Sequence, residues 1–148
     1  MIRLAAEHGL RRGEIARVRG RDLELSATGL VLRILGKGGK ERFSPIAHNE
    51  YLLIAALESA GDGYLFPGQI DGHLSAGHVG RLISRALATG WSAHKLRSRF
   101  ATTAYAGSKD ILELMTLLGH SSPETTLRYV SLVSEAGREM TAAARLDK

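Results

Sequence analysis

The chain has 148 residues, 44% of them hydrophobic, which predicts one domain with a hydrophobic core. It contains no cysteine, which excludes disulfide bonds and thiolate metal sites. No apolar run reaches membrane length and the first residues lack the pattern of a signal peptide, so we expect a cytoplasmic protein without a membrane partner.

The net charge of +5 is unevenly distributed. Residues 9–45 contain nine Lys/Arg and four Asp/Glu, a surplus of five that equals the whole net charge. Residues 72–109 contain no acidic residue at all. Two basic stretches in an otherwise balanced chain favour a polyanionic partner, nucleic acid first. Charge alone leaves open an ordinary basic surface.

The sequence predicts an α+β protein that is mainly helical, with a small three-stranded antiparallel sheet near the N-terminal third. Leu30, Val31, Leu32 and Ile34 are strand formers, 36–40 is a glycine-rich turn, and 42–46 returns from it, which predicts a hairpin with a longer loop. Residues 23–25 add a third short strand. We see no internal repeat and no second domain.

The remaining segments have apolar residues at helical spacing and recognisable ends. Asn49, Ser75, Ser92 and Ser108 are predicted helix caps, and Gly119 is a predicted stop in the left-handed conformation. Residues 62–72 are predicted to form a loop. The predicted helices are 2–8, 12–18, 49–60, 75–89, 92–105, 108–118, a short one that begins near 121 and presents Tyr129, and a last one over 134–145.

The last third of the chain carries a possible phosphate-handling set. His94 and Arg97 are three residues apart and therefore share a helix face. His120 follows the predicted helix stop, and Tyr129 comes nine residues later. Such residues can bind and attack a phosphodiester. Taken singly, each also has a structural interpretation: a capping histidine, a surface arginine, a histidine near a helix end or a core tyrosine.

Two residues from the front of the chain could complete this set. Arg11 lies between two short predicted helices, and Lys37 lies in the glycine-rich turn, where it could reach a phosphate oxygen. Taken alone, each is better explained as an ordinary surface cation. Other sites are not indicated, because the P-loop, His-Glu-x-x-His and Gly-x-Ser-x-Gly patterns are absent, and His73 and His78 are five apart.

The order of these motifs resembles the tyrosine recombinase (phage integrase) family, over nearly the whole chain. The resemblance implies the fold of DNA breaking-rejoining enzymes, double-stranded DNA as the partner, and neither a cofactor nor a metal. The matching segments are Gly9-Leu10-Arg11 with Glu14, Gly36-Lys37-Gly38-Gly39-Lys40-Glu41-Arg42, His94-Lys95-Leu96-Arg97, Leu118-Gly119-His120 and Tyr129.

The resemblance also implies a role for each residue. Tyr129 would attack the scissile phosphate, form a 3′-phosphotyrosyl link and release a 5′-hydroxyl. Arg11 and Arg97 would bind the phosphate oxygens with planar donor forks. Lys37 would protonate the leaving oxygen, His94 would assist proton transfer, and His120 would donate a hydrogen bond to the phosphate. DNA contacts are expected from Arg12, Lys40, Arg42, Lys95, Arg99 and Arg128.

The chain departs from the family pattern in two ways. Ser98 and Arg99 stand where the family usually has a histidine and a small hydroxyl residue, and Arg99 would add positive charge near the active site or contact DNA. Family members usually carry an N-terminal helical domain that completes a clamp around DNA, so residues 1–148 are expected to be the catalytic domain alone. Residues 134–148 would form a tail that docks on a neighbouring protomer of a tetramer, or on its own domain.

Two other functions remain compatible with this sequence. One is a type IB topoisomerase, which shares the phosphotyrosine chemistry. The other is a DNA-binding remnant without catalytic activity, because half of the clamp is missing.

Overall fold

A small sheet packs among helices in the computed structural model, which describes residues 1–120 together with 122, 124, 126 and 127, and only the backbone of Lys37. The strands are β1 (Leu23–Ser26), β2 (Gly29–Leu35) and β3 (Glu41–Pro45), in the order β1-β2-β3, and both pairs are antiparallel. In the register of the sheet, Leu32 of β2 lies opposite Leu23 and Ser44. The predicted three-stranded sheet is therefore confirmed.

Six α-helices account for most of the remaining described residues, which confirms the mainly helical α+β class. Two predicted caps are present: the Ser75 hydroxyl accepts from the His78 amide at 3.1 Å, and the Ser92 hydroxyl accepts from the Lys95 amide at 3.3 Å. The helices are α1 (Ile2–Ala6), α2 (Arg12–Arg17), α3 (Tyr51–Ala60), α4 (Ala76–Ala86), α5 (Ala93–Ser108) and α6 (Ile111–Leu118).

The cap predicted at Ser108 is wrong. Helix α5 continues through Ser108, whose hydroxyl donates back to the Ala104 carbonyl at 3.2 Å, a bond typical of serine inside a helix. The cap of α6 is Asp110, which accepts from the Glu113 amide at 2.9 Å. A carboxylate suits the N-terminus of a helix better than a hydroxyl, because its negative charge also interacts favourably with the positive end of the helix dipole.

Two other boundaries differ from the prediction. Glu50, not Asn49, is the residue that precedes α3. Residues 67–70 form a short strand, β4 (Pro67–Ile70), which bridges to His73, so part of the predicted 62–72 loop is a small hairpin. Residues 67–70 lack the alternating apolar pattern that would have indicated a strand.

The apolar side chains form two clusters. The larger joins α1, α2, the sheet, α3 and α4, and includes Leu10, Ile15, Leu32 and Leu57, each fully buried. The smaller lies between α5 and α6 and contains Ala101, Leu114 and Leu118, with Phe100 packed against it. Among the described residues, no helix is both long enough and apolar enough to cross a bilayer.

A buried polar cluster fastens the segment that leads from α1 to α2. The two ring nitrogens of His8 lie 2.9 Å from the Ser44 hydroxyl and 2.9 Å from the Glu50 carboxylate. Glu50 in turn accepts from the Ala47 amide at 2.6 Å. Because all three side chains are buried, these bonds prevent unsatisfied polar groups and fix the backbone just before Gly9 and Arg11.

Candidate active site

The turn at Gly9 brings the front of the chain to α5. Gly9 has φ +64°, and a Cβ at this position would lie 2.5 Å from the Phe100 ring. Only glycine therefore fits here, both for its backbone conformation and for the close approach of the ring. The turn directs the Gly9 carbonyl at the guanidinium of Arg97, which donates to it.

Arg97 is held from three sides although it belongs to a helix whose other cations are exposed. Its side chain donates to the carbonyls of Gly9 and Leu118, the latter at 2.7 Å, and to Nε2 of His120 at 3.1 Å. Only 5% of Arg97 is exposed, so the alternative of a surface arginine is wrong. A guanidinium fixed in this way is preorganised, because little rotational freedom remains to be lost when an anion binds.

Glu14 connects the arginines of the site. Its carboxylate accepts from the Arg11 amide at 2.6 Å and from the Arg11 guanidinium at 3.0 Å. Arg42 donates to both carboxylate oxygens at 3.0 Å, and a nitrogen of Arg97 lies 3.8 Å away. Burial by itself raises the pKa of Glu14, but the hydrogen bonds and charges of Arg42 and Arg11 outweigh it and hold this pKa below its ordinary value. Glu14 is therefore ionised at neutral pH.

His120 is neutral in this environment. Burial, and then the positive charges of Arg97, Arg11 and Arg42, lower the pKa of His120 from 6.5 to about 4. Its Nδ1 lies 2.8 Å from the hydroxyl of Thr126, which is fully buried. Because an arginine can only donate, Nε2 accepts from Arg97 and the proton resides on Nδ1. Donation from Nε2 to a phosphate therefore requires the other tautomer, with the Thr126 hydroxyl as the donor to Nδ1.

A cleft of about 760 Å³ collects four of the six residues predicted as catalytic: Arg11, His94, Arg97 and His120. They come from the start of α2, from α5 and from the turn after α6. None of the described residues that line this cleft is acidic, and Arg12 and Arg81 add further positive charge. The cleft is thus suited to an anion. Its other lining residues are Gly77, Gly80, Ser84, Ser92 and Ala93.

A second cleft, of about 1010 Å³, shares Arg11 and His120 with the first. Gly36 and Lys40 border it, so the turn that contains Lys37 stands next to the site. The side chain of Lys37 lies outside what the structure describes, as do Tyr129 and Arg128. The predicted tail helix over 134–145 also lies outside the described residues.

Two of the predicted DNA contacts have surroundings that differ from those of the others. Arg42 is only 7% exposed, donates to Glu14 and to the Leu117 carbonyl, and lines the second cleft, so it offers DNA little surface. Arg99 is exposed, but it lies in a separate depression beside Trp91 and Leu96, away from both clefts. Arg99 faces away from the clefts because it is two positions after Arg97 on α5, and two positions correspond to about 200° around a helix axis.

The other predicted DNA contacts with described side chains are at the surface. Arg12, Lys40 and Lys95 are exposed, and the first two border the clefts. Sequence reasoning gave no role to Glu14, Thr126, Arg81 or Ser84. Only Glu14 had a usable signal, because an acidic residue three positions after Arg11 can pair with it on one helix face. Within the described part of the chain, no three His, Asp or Glu residues are placed to bind a metal ion.

The neutral His120 predicts a pH-dependent stability. Between pH 4 and 6.5 the unfolded chain binds more protons at this residue than the folded protein does. We therefore expect the free energy of unfolding to fall as the pH is lowered through this window, and His120→Asn to lose that part of the dependence. Urea unfolding at several pH values tests this, with the exposed His78→Asn as the control. A pKa for His120 near 6.5, measured by NMR, would contradict the prediction.

Comparison with known proteins gives consistent matches. The model of the phage integrase family matches residues 1–135. Tyrosine recombinase XerC of Xanthomonas campestris pv. campestris (strain B100) is 34% identical over 141 residues, which cover 89% of this chain and 43% of that protein. The chain thus spans less than half the length of this relative.

Solved structures that resemble this chain include an integrase and a site-specific recombinase. The integrase from mycobacterium phage Brujita is 31% identical with a TM-score of 0.66, and the match covers 80% of this chain and 41% of that one. The XerH site-specific recombinase, bound to a palindromic difH substrate in a post-cleavage complex, is 26% identical with a TM-score of 0.70. That match covers 95% of this chain and 44% of the XerH chain.

Proposed function

Because the chain belongs to the phage integrase family of tyrosine recombinases, we propose that it breaks and rejoins DNA at specific sites through a covalent 3′-phosphotyrosyl intermediate. The observation that carries the proposal is the convergence of Arg11, His94, Arg97 and His120 on one cleft. The cleft has an excess of positive charge, which suits the scissile phosphate. The XerH structure, bound to its DNA substrate, supports DNA as the partner.

The two arginines stabilise the transition state of cleavage. Attack on a phosphodiester concentrates negative charge on the two non-bridging oxygens, and the guanidinium groups of Arg11 and Arg97 line the same cleft. Such preorganised donors contribute about 10²–10³ each in rate. This is the charge stabilisation that metal ions supply in other phosphoryl-transfer enzymes.

The remaining residues move protons. The Tyr129 oxygen attacks phosphorus, the bond to the 5′-oxygen breaks, and the phenol proton passes to a neighbouring base, for which His94 is our candidate. Lys37 gives a proton to the departing 5′-oxygen. A phenol has an ordinary pKa of about 10, so Tyr129 depends on the positive charge of the cleft to react at neutral pH. Religation reverses these steps, and the covalent link conserves the energy of the broken bond.

We further propose that residues 1–148 are the catalytic domain of a longer recombinase and that self-association on DNA brings several such domains together. This agrees with the 43% of XerC that the chain covers. Arg12, Lys40 and Lys95 would contact the DNA backbone around the scissile phosphate, and Arg128 would act beside Tyr129.

A nicked duplex of randomised sequence tests the proposal, because the short strand lost after cleavage prevents religation and traps the covalent complex. We expect a protein–DNA adduct on denaturing gels, and its loss in Tyr129→Phe. The matched control is Tyr105→Phe, since Tyr105 packs against the smaller apolar cluster and should leave the adduct unchanged.

Three other outcomes are informative. DNA binding without any adduct would contradict the proposal and favour a binding remnant. Relaxation of supercoiled plasmid without sequence preference would favour a topoisomerase. An adduct that survives Tyr129→Phe would assign the nucleophile to another residue.

A further inference from the structure

Arg42 makes a set of contacts that the proposed reaction does not use. It belongs to β3, the strand that follows the turn with Lys37, and its side chain points inward. Its guanidinium donates to both oxygens of Glu14 at 3.0 Å, and its Nε donates to the Leu117 carbonyl at 2.7 Å. One side chain thus connects β3, α2 and the last turn of α6.

The first consequence is electrostatic. Arg11, Arg42 and Arg97 carry three positive charges and Glu14 one negative charge, so with His120 neutral the cluster has a surplus of two. Arg42 engages both oxygens of Glu14 from one direction. Without Arg42, the buried carboxylate would be balanced by Arg11 and Arg97 alone, and it would draw both away from an anion in the cleft.

The second consequence is geometric. Gly119 has φ +60° and ends α6, and a Cβ at this position would lie 3.0 Å from Cδ of Arg42. The side chain of Arg42 therefore lies directly against the turn that carries His120. The neighbouring Leu118 carbonyl accepts from Arg97, so the position of this turn also sets the position of Arg97. Movement of the turn would displace two groups that line the cleft.

We propose that Arg42 is a positioning residue of this site, which balances the Glu14 carboxylate and fixes the end of α6 so that Arg11, Arg97 and His120 face a bound phosphate. It never touches the phosphate itself. The inference deepens the proposed function and rests on it for the identity of the anion, a phosphodiester. The arrangement of the arginines does not depend on the covalent step.

The test uses two measurements on the same variants. Calorimetry with inorganic vanadate, a phosphate mimic, measures the anion site without DNA, and the trapping of nicked duplex measures the cleavage rate. We expect Arg42→Met to weaken vanadate binding about tenfold and to slow cleavage about 10²-fold, with DNA affinity changed by less than about threefold. All measurements are made well below the unfolding temperature of each variant.

The double variant Arg42→Met/Glu14→Gln separates this role from a merely structural one. Because the two charges are removed together, Arg11 and Arg97 are no longer drawn to Glu14, and we expect vanadate binding to recover to within about threefold of the wild type. The matched control is Arg33→Met. Arg33 lies on the adjacent strand with Asp22, Glu24 and Glu41 as partners and borders neither cleft, so its loss should leave vanadate binding unchanged.

The outcomes are distinguishable. Wild-type vanadate affinity in folded Arg42→Met, or an equal loss in the single and double variants, would overturn the inference. If Arg42→Met does not fold, Arg42→Lys decides instead, because it keeps the charge but lacks the planar fork. We expect it to bind vanadate severalfold more weakly, and wild-type affinity would overturn the inference. A wild-type chain that binds vanadate but forms no adduct refutes the proposed function alone.

Discussion

Replacing Arg97 with lysine is expected to slow the trapping of nicked DNA by about 10²–10³-fold, the typical effect of losing one preorganised donor. Lysine keeps the charge but lacks the planar fork that reaches the Gly9 carbonyl, the Leu118 carbonyl and His120 at once. The defect should therefore lie in the cleavage step, and DNA affinity should change by less than about threefold. Single-turnover trapping and a binding titration separate these quantities.

The chain offers a close control for this substitution. Arg99→Lys changes the same residue type two positions later on α5, but on the side that faces Trp91 and away from both clefts. We expect its cleavage rate to equal that of the wild type. If Arg97→Lys cleaved within tenfold of the wild type, Arg97 would contribute charge but not geometry, and the preorganised fork would have no part in catalysis.

Glu14→Gln is expected to lower the free energy of unfolding by about 3–5 kcal/mol, the usual cost of removing one partner of a buried ion pair. The substitution leaves Arg42 buried without a counter-charge and leaves Arg11 without the acceptor that holds its side chain. Urea denaturation, monitored by circular dichroism, measures the change.

Glu7→Gln is the matched control, because the pair between Glu7 and Arg3 is half exposed and spans 3.8 Å. Exposed pairs of this kind contribute about 0–1 kcal/mol, so the control should be nearly neutral. Equal effects of the two substitutions would mean that the Glu14 cluster is solvated in solution. A loss in Glu14→Gln that Arg42→Met relieves would instead support the mutual dependence of the two charges.

Local sequence determined most of the elements. The strand-forming residues of β2 and the glycine-rich turn after it specified the hairpin, and Ser75, Ser92 and Gly119 marked helix ends as predicted. These features depend on interactions within a few residues, which the order of side chains reveals directly. The motifs of the family could also be recognised in the sequence.

The sequence was a poorer guide where two neighbouring residues could form the same helix cap. Ser108 and Asp110 both cap helices well, and the sequence offers no measure of which one the packing of α5 on α6 prefers. The hairpin at β4 had no apolar alternation, since its residues are mostly exposed and are fixed by the bridge to His73. Such details follow from tertiary contacts that override local preference.

The charges show the same division. The sequence by itself showed that Arg11, Arg97 and His120 lie in motifs that follow one another in the order of the family, and that basic residues dominate two stretches. Only the tertiary structure decided that Arg42 is inside and Arg99 outside, that Glu14 pairs with Arg42 as well as with its neighbour Arg11, and that His120 is neutral. Burial and the distance between charges set these properties, and both are created only when segments 20 to 90 residues apart come into contact.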